Sequence, residues 1–202
     1  STLWVRSARA VKYMKNNQIT AFHPGAMNFS HENHVNDYED ISIGIVGPDG
    51  REGMIQHAKE FAEAEVPFIF DPGQAMPLFD GDDLKRFIEQ ATWMAVNDYE
   101  YELVHNRTGM DAREIASHLD ALIVTRGEKG SEIYCEGTMY HIPVVKAEKV
   151  VDPTGCGDAY RAGLLFGLTN GLDYQTTGRI ASLLGSIKMA SAGTQDQYIS
   201  KK

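Results

Sequence analysis

Apolar residues along the chain switch repeatedly between two spacings, and this alternation predicts an α/β fold. Short continuous apolar runs, typical of strands buried on both faces, occur at residues 41–46, 66–70, 93–96 and 122–124. Between two of these runs, apolar residues recur at helical spacing, as in Met54, Ile55, Ala58, Phe61 and Ala62. Strands that alternate with helices indicate a mainly parallel sheet that helices cover on both faces.

The last third of the chain has a different pattern. Residues 131–135 and 139–145 predict two strands around a glycine turn, and hence a hairpin. Two helices follow, the first at about residues 158–169. The second helix is predicted to bury a stripe of apolar residues, namely Ile180, Leu183, Leu184 and Ile187. Its small residues, which allow close packing against a neighbour, are Gly178, Ala181 and Gly185.

The composition narrows the classes of function. The 202 residues carry 28 acidic and 19 basic side chains and a net charge of −9, whereas proteins that bind nucleic acid are usually basic. No apolar run approaches membrane-spanning length, and no signal peptide is recognised. We therefore expect no nucleic-acid partner, no membrane partner and a cytoplasmic location, with Cys135 and Cys156 as reduced thiols. Residues 1–17, basic and without acids, form a segment distinct from a domain at 18–202.

The most specific chemical signal lies between Asp152 and Gly163, which read Asp-Pro-Thr-Gly-Cys-Gly-Asp-Ala-Tyr-Arg-Ala-Gly. Gly155 and Gly157 directly precede a predicted helix, where small residues let a ligand approach the backbone. Free N–H groups and the helix dipole at such a point attract an anion, commonly phosphate. Asp158 follows in the first turn. Because its carboxylate repels phosphate, we assign it the task of accepting a proton from a hydroxyl that attacks the phosphate.

Other interpretations of this stretch compete with an anion site. The two glycines could form only a tight turn, with Asp158 as a helix cap, and the spacing alone leaves this open. A dinucleotide-binding fingerprint fits less well, because it needs a glycine where Tyr160 stands. If the anion site is real, the thiol of Cys156 lies at a helix start beside it and is expected to have some thiolate character.

The stretch resembles the second signature of the ribokinase-like (PfkB) family of sugar and nucleoside kinases, D-T-x-G-A-G-D, which reads D-P-T-G-C-G-D here. The resemblance covers the chain from about residue 18 onward. It implies a three-layer α-β-α ribokinase-like fold, Asp158 as the catalytic base, and an anion hole formed by the N–H groups of Gly155, Cys156 and Gly157. The family's first strands, which bind acceptor hydroxyls, are not found, so we expect an incomplete N-terminal part and lid.

Further stretches follow the order that this family has. Asn97 and Glu100 resemble its N-x-x-E motif, which orders Mg²⁺ and phosphate through water, although the same pair is an ordinary capping pattern. The turn that resembles the family's T-x-G-x-x-G segment beside ATP contains Thr125, Gly127 and Gly130. The resemblance also implies a monovalent cation, usually K⁺, near Asp152, and an adenine-side contact from Gly193 and Gln195.

The acceptor substrate is expected to be a nucleoside. Residues 70–74, Phe-Asp-Pro-Gly-Gln, and 23–26, His-Pro-Gly-Ala, resemble the nucleoside-kinase members of the family more than its ribokinases. The resemblance thus implies a small-molecule kinase that transfers the γ-phosphoryl group of MgATP to the primary hydroxyl of an adenosine-like nucleoside. It also implies a possible homodimer. A sugar kinase of the same family and a non-catalytic nucleotide sensor or assembly subunit stay open as alternatives.

Overall fold

The structure, a computed structural model, describes residues 25–193 of the chain, and helices separate successive strands as far as residue 125. The strands are β1 (Gly44–Val46), β2 (Phe68–Phe70), β3 (Trp93–Asn97), β4 (Ala121–Thr125), β5 (Ser131–Cys135) and β6 (Thr138–Ile142). The helices are α1 (Arg51–Glu63), α2 (Gly81–Gln90), α3 (Asp98–Thr108), α4 (Ala112–Ser117), α5 (Cys156–Thr169) and α6 (Tyr174–Met189). Short 3-10 helices occupy Gly25–Glu32, Val35–Asp37, Gly73–Leu78 and Gly127–Lys129. Within these residues no helix is both long enough and apolar enough to cross a membrane.

The six strands form one sheet in sequence order, with β1 to β4 parallel and β4 to β6 antiparallel. The predicted mainly parallel sheet and terminal hairpin are therefore confirmed. Three strands are shorter than predicted, since β1 begins at Gly44 rather than residue 41, β2 begins at Phe68 rather than residue 66, and β6 ends at Ile142 rather than residue 145. Pro67 precedes the partner strand of β1 and Pro143 follows β6. Proline has no N–H group with which to continue a ladder.

The two faces of the sheet have separate hydrophobic cores, because side chains alternate along each strand. Phe68 and Phe70 of β2 belong to the core beneath α1 to α4, whereas Ile69 between them belongs to the core beneath α5 and α6. In β3, Ala95 packs on the same face as Ile69. Helices on both faces of a central sheet make the three layers that the resemblance implied, and the α-β-α ribokinase-like fold is confirmed.

Small residues bring α5 and α6 into close contact. A Cβ on Gly163 would collide with the backbone of Ala181, and a Cβ on Gly167 would collide with the side chain of Thr177. The predicted apolar stripe of α6 is wrong, since Leu183 is 43% exposed. The residues that α6 buries are instead Thr177, Gly178, Ala181, Ser182 and Lys188. The helix packs on its small residues because only they allow this short distance to α5.

Candidate active site

A glycine in the left-handed region starts α5 and shapes the loop ahead of it. Gly155 has φ 85° and ψ 3°, a conformation that costs other residues about 1–2 kcal/mol. The N–H of Cys156 closes the turn by donating to the Pro153 carbonyl at 3.1 Å, and the N–H of Thr154 donates to Asp152 Oδ1 at 3.0 Å. The loop therefore enters α5 without a side chain over the helix start.

The start of α5 is open to an anion. Four other helices, α2, α3, α4 and α6, begin with an Asp or Asn side chain that accepts a first-turn N–H. Over residues 25–193, by contrast, the N–H groups of Gly155, Gly157 and Asp158 have no hydrogen-bond acceptor. Gly157 and Asp158 are also exposed. Such N–H groups carry the positive end of the helix dipole. The predicted hole also included Cys156, whose N–H is bonded within the loop.

A buried ion pair anchors this helix start to the sheet. Asp71 directly follows β2, and Arg161 lies one turn beyond Asp158 on α5. Arg161 Nε and Nη2 donate to the two Asp71 carboxylate oxygens at 2.9 and 3.2 Å, and the two side chains are only 11% and 12% exposed. Nη2 also donates to the Ala95 carbonyl of β3 at 3.5 Å. These bonds bring the first turns of α5 to the carboxyl end of β2, at the sheet edge where open parallel sheets bind ligands.

Arg161 also adds positive charge beside residues 152–157, which we call the anion loop. Its Nη1 atom lies 3.6 Å from the point where a Cβ on Gly157 would stand. Glycine at this position therefore leaves the guanidinium close to the backbone that faces solvent. Nη1 of the guanidinium thus lies near Gly157, while the other two nitrogens donate to Asp71.

Asn97 and Glu100 form a reciprocal cap at the start of α3. Asn97 Oδ1 accepts the Glu100 N–H at 2.8 Å, and Glu100 Oε2 accepts the Asn97 N–H at 2.8 Å. Burial raises the pKa of Glu100 above its ordinary value, and the charge of Asp71 adds to this effect. The Asn97 N–H and the charge of Arg161 lower that pKa in part. The capping interpretation is thus observed, and the cap lies beside the ion pair at the same sheet edge.

The predicted ATP-side turn follows β4 at the same edge. Thr125 is the last residue of β4 and pairs with Asn97 at the end of β3. Gly127 and Gly130 have φ values of 54° and 85°. A Cβ on Gly130 would collide with the carbonyl oxygen of Ile142, so this turn can approach β6 only with glycine at that position. The turn therefore lies next to the Asn97–Glu100 cap.

Asp152 and Gly193, predicted near a cation and the adenine, contact each other. The Gly193 N–H donates to Asp152 Oδ2 at 3.3 Å. The Asp152 carbonyl accepts a hydrogen bond from Lys188 Nζ at 2.9 Å. The predicted contact from Gln195 lies outside the described residues, as do the basic segment 1–17 and the positions His23 and Pro24.

The predicted thiolate character of Cys156 is wrong. Burial raises the pKa of this thiol, while the charge of Lys188 lowers it in part and that of Asp152 raises it. The side chain is a neutral thiol at neutral pH, and it serves as a small residue within the loop.

The carboxylate chemistry at this sheet edge suits a Mg²⁺ ion that is bound mainly by phosphate oxygens and water. Among residues 25–193 no three His, Cys, Asp or Glu side chains are grouped closely enough to hold a metal ion by themselves. Mg²⁺ usually retains several waters and is bound by one or two carboxylates together with phosphate oxygens. Glu100 fits that kind of site, in which the protein supplies few direct ligands and acts through bound water.

Two buried cations were missed by reasoning from the sequence. Arg161 lies three residues after Asp158, beside the buried Tyr160 on a largely apolar helix, and Lys188 occupies a buried position of α6. Lys and Arg are rarely buried unless they are paired. A charged residue on a buried helical face was therefore the available signal for both cations. Their binding partners could not be identified, because these lie far away in the sequence.

The sequence matches a known kinase family over nearly its full length. Residues 7–201 match the family described as pfkB family carbohydrate kinase. This match extends from residues before the sheet to residues beyond α6. The chain therefore belongs to the pfkB family.

Relatives of the chain include nucleoside kinases. The nucleoside kinase of Methanocaldococcus jannaschii is 34% identical over 180 residues, which cover 89% of this chain and 59% of the relative. The nucleoside kinase of Burkholderia thailandensis, solved in complex with inosine, is 57% identical with a TM-score of 0.90, over 94% of this chain and 63% of that one. Its complex with ADP-inosine matches at 58% identity and a TM-score of 0.87, over 90% of this chain and 57% of that one.

A more distant match bears on the fold alone. The ribokinase of Thermotoga maritima is 20% identical with a TM-score of 0.77, over 96% of this chain and 66% of that one. The chain spans about six tenths of the length of the nucleoside kinases of M. jannaschii and B. thailandensis.

Proposed function

We propose that the protein is an ATP-dependent phosphotransferase that transfers the γ-phosphoryl group of MgATP to the primary hydroxyl of a nucleoside. The observation that carries this proposal is the uncapped start of α5, where the N–H groups of Gly155 and Gly157 have no acceptor among residues 25–193 and the exposed Asp158 follows in the first turn. An anion site next to a carboxylate serves phosphoryl transfer to a hydroxyl group. Relatives named nucleoside kinases support the choice of a nucleoside as acceptor.

Asp158 acts as the general base in this proposal. Its carboxylate accepts the proton of the attacking hydroxyl, and the N–H groups of Gly155 and Gly157, joined by that of Asp158, bind the transferring group. Such N–H groups favour a transition state in which negative charge is spread over the phosphoryl oxygens. Because they are already fixed by the helix, little reorganisation is needed as the charge moves.

The Arg161–Asp71 pair fixes the position of Asp158 and of the anion-binding N–H groups relative to the sheet. The pair joins α5 to β2 and β3 through buried hydrogen bonds, so a shift of the helix start would break it. We assign Arg161 and Asp71 as positioning residues. Cys156 belongs to the loop, where its N–H maintains the turn rather than the hole.

The nucleotide side follows from the neighbouring strand ends. Thr125, Gly127 and Gly130 border the phosphates or ribose of ATP, and the adenine lies toward Gly193 and Gln195. Mg²⁺, when bound, neutralises charge on the β- and γ-phosphates. Asn97 and Glu100 orient the water around that ion; Glu100 can do so while one of its oxygens caps α3.

An acceptor panel tests the proposed function. Coupled ADP release from MgATP is measured with adenosine, inosine, cytidine, ribose and fructose 6-phosphate, and with 5′-deoxyadenosine as the matched control, since it lacks the primary hydroxyl. We expect saturable ADP release with at least one ribonucleoside and none with 5′-deoxyadenosine. Release that depends on a sugar alone would instead identify a sugar kinase. MgATP binding without release for any acceptor would identify the sensor or assembly subunit.

Two further properties stay predictions. A cytoplasmic location is tested by cell fractionation, and a homodimer by light scattering coupled to size-exclusion chromatography.

A further inference from the structure

A fully buried lysine lies at the base of the anion loop. Lys188, in the last turn of α6, is 0% exposed. Its Nζ atom donates to the backbone carbonyl of Asp152 at 2.9 Å and to that of Ser191 at 3.1 Å. A buried ammonium group is costly unless polar atoms surround it. Two carbonyl oxygens, contributed by separate segments, supply that environment here.

The same segments are connected by their backbones. The N–H groups of Val151 and Asp152 both donate to the Met189 carbonyl, at 2.9 and 3.3 Å. The side chain of Asp152 accepts N–H groups from Thr154 on one side and Gly193 on the other. Lys188 therefore lies where the end of α6 meets the loop that leads to Gly155. Its charge also reaches the thiol of Cys156, whose pKa it lowers.

The residues at this place do not fit a bound K⁺ ion. Backbone carbonyl oxygens are the ligands that replace water around K⁺ in proteins, and an ammonium group is similar to K⁺ in size and charge. Here the Asp152 carbonyl, next to which the family resemblance expected a monovalent cation, already accepts a hydrogen bond from Lys188 Nζ. A K⁺ ion bound to the same carbonyl would lie close to that ammonium group, and the two like charges would repel each other.

We propose that the ammonium group of Lys188 replaces the monovalent cation at the base of the anion loop, so that the protein holds this loop in order without K⁺. For catalysis, the inference rests on the proposed phosphotransferase function. Lys188 is a positioning residue, because it acts through the Asp152 loop and touches no reacting atom. A lysine that only fills space in α6 would not explain its two carbonyl partners.

Thermal unfolding can distinguish a lysine that replaces a monovalent cation from one that only fills space in α6, and it does not require activity. Unfolding of the wild-type protein and of Lys188→Ala is followed in KCl, NH₄Cl and tetramethylammonium chloride at equal ionic strength. The matched control is Lys85→Ala, because Lys85 is exposed on α2, remote from the loop. Tetramethylammonium is too large for the space that the lysine head group vacates.

We expect the Tm of the wild type and of Lys85→Ala to be equal in the three salts. Lys188→Ala should unfold at a lower temperature in tetramethylammonium and regain at least about 3 °C in K⁺ or NH₄⁺, since an ion that binds only the folded state stabilises it. A wild-type Tm that rises specifically in K⁺ would overturn the proposal. A Lys188→Ala variant that folds but does not respond to K⁺ would also overturn it.

The activity arm uses nucleoside-dependent ADP release. Wild-type kcat should change less than about twofold between K⁺ and tetramethylammonium, whereas kcat of Lys188→Ala should be at least about tenfold lower and recover in K⁺. Strong K⁺ activation of the wild type would contradict the proposal, even if Lys188→Ala failed to fold. If no acceptor is turned over, the proposed function fails, and the thermal arm still decides the role of Lys188.

Discussion

Two buried cations flank the anion loop, and they are held in different ways. Arg161 binds a carboxylate through two nitrogens, so that its charge is balanced by Asp71 from the end of β2. Lys188 binds two backbone carbonyls, from Asp152 and Ser191. The first contact fixes α5 to the sheet, whereas the second fixes the loop to the end of α6. The loop is therefore anchored to the sheet by a charge pair, and to the end of α6 by a cation together with backbone hydrogen bonds to Met189.

Removing Arg161 and removing Lys188 should therefore destabilise the protein to different extents. Loss of one member of a charge pair leaves the other buried and uncompensated, which is severe. Loss of an ammonium group leaves two carbonyls without a donor but no buried charge, which is milder. A small cation from solvent can replace an ammonium group but cannot replace a guanidinium bound through two nitrogens.

Breaking the charge pair should have the largest effect. Arg161→Gln leaves the buried carboxylate of Asp71 without its cation, and we expect a loss of about 3–5 kcal/mol in the free energy of unfolding. Urea denaturation measures this loss, which K⁺ should not restore. The double variant Asp71→Asn/Arg161→Gln removes both charges and should lose less than the sum of the two single variants. Additive losses would show that the pair is not coupled.

Moving α6 away from α5 should disturb Lys188 and leave Arg161 in place. Gly163→Ala places a Cβ against the backbone of Ala181, and such overpacking costs about 1–3 kcal/mol. The matched control is Gly185→Ala, because a Cβ there would lie at an ordinary 3.5 Å from the Cys156 carbonyl. Urea denaturation of both variants measures the difference. Equal stability of the two would contradict the close contact between the helices.

Removing the ammonium group while keeping a side chain of similar length should have a smaller effect. Lys188→Met leaves two carbonyls without their donor but removes the cost of burying a charge, and we expect a net loss of about 1–2 kcal/mol. Urea denaturation in tetramethylammonium chloride measures it. A loss as large as that of Arg161→Gln would remove the contrast between the two anchors.

The smallest effect concerns Glu100, which lies on the Arg161 side of the loop. Burial raises its pKa in the folded state, so the folded protein keeps a proton that the unfolded chain has already lost. The free energy of unfolding therefore falls as the pH rises from the pKa of Glu100 in the unfolded chain to its raised pKa in the folded protein. Above both pKa values the loss of stability is complete. Glu100→Gln retains a capping acceptor and lacks this penalty.

Urea denaturation between pH 4 and pH 7 checks this sign. Relative to the wild type, Glu100→Gln should gain stability as pH rises. Because Arg161 lowers the pKa of Glu100, the gain should widen in an Arg161→Gln background and stay unchanged in Lys188→Met. A gain that does not vary with pH would contradict the raised pKa.

The sheet and the glycine-rich start of α5 were predictable from the sequence, but the two anchors were not. Apolar runs predicted β2 to β4, because strands buried on both faces need them, and the signature stretch located Asp158. The true ends of β1 and β6 depend on Pro67 and Pro143. Asp71 and Arg161 are 90 residues apart, and Lys188 is 36 residues from Asp152. Pairings of this kind arise only when the helices pack on the sheet.

The most direct test of the central claim is the turnover of Asp158→Asn with MgATP and inosine. The substitution keeps the shape of the side chain and removes its capacity to accept a proton. We predict that kcat falls by at least about a hundredfold, while the Kd for MgATP changes less than about threefold. ADP release that continued at nearly the wild-type rate would contradict the assignment of Asp158 as the base, and with it the proposed phosphoryl transfer at the start of α5.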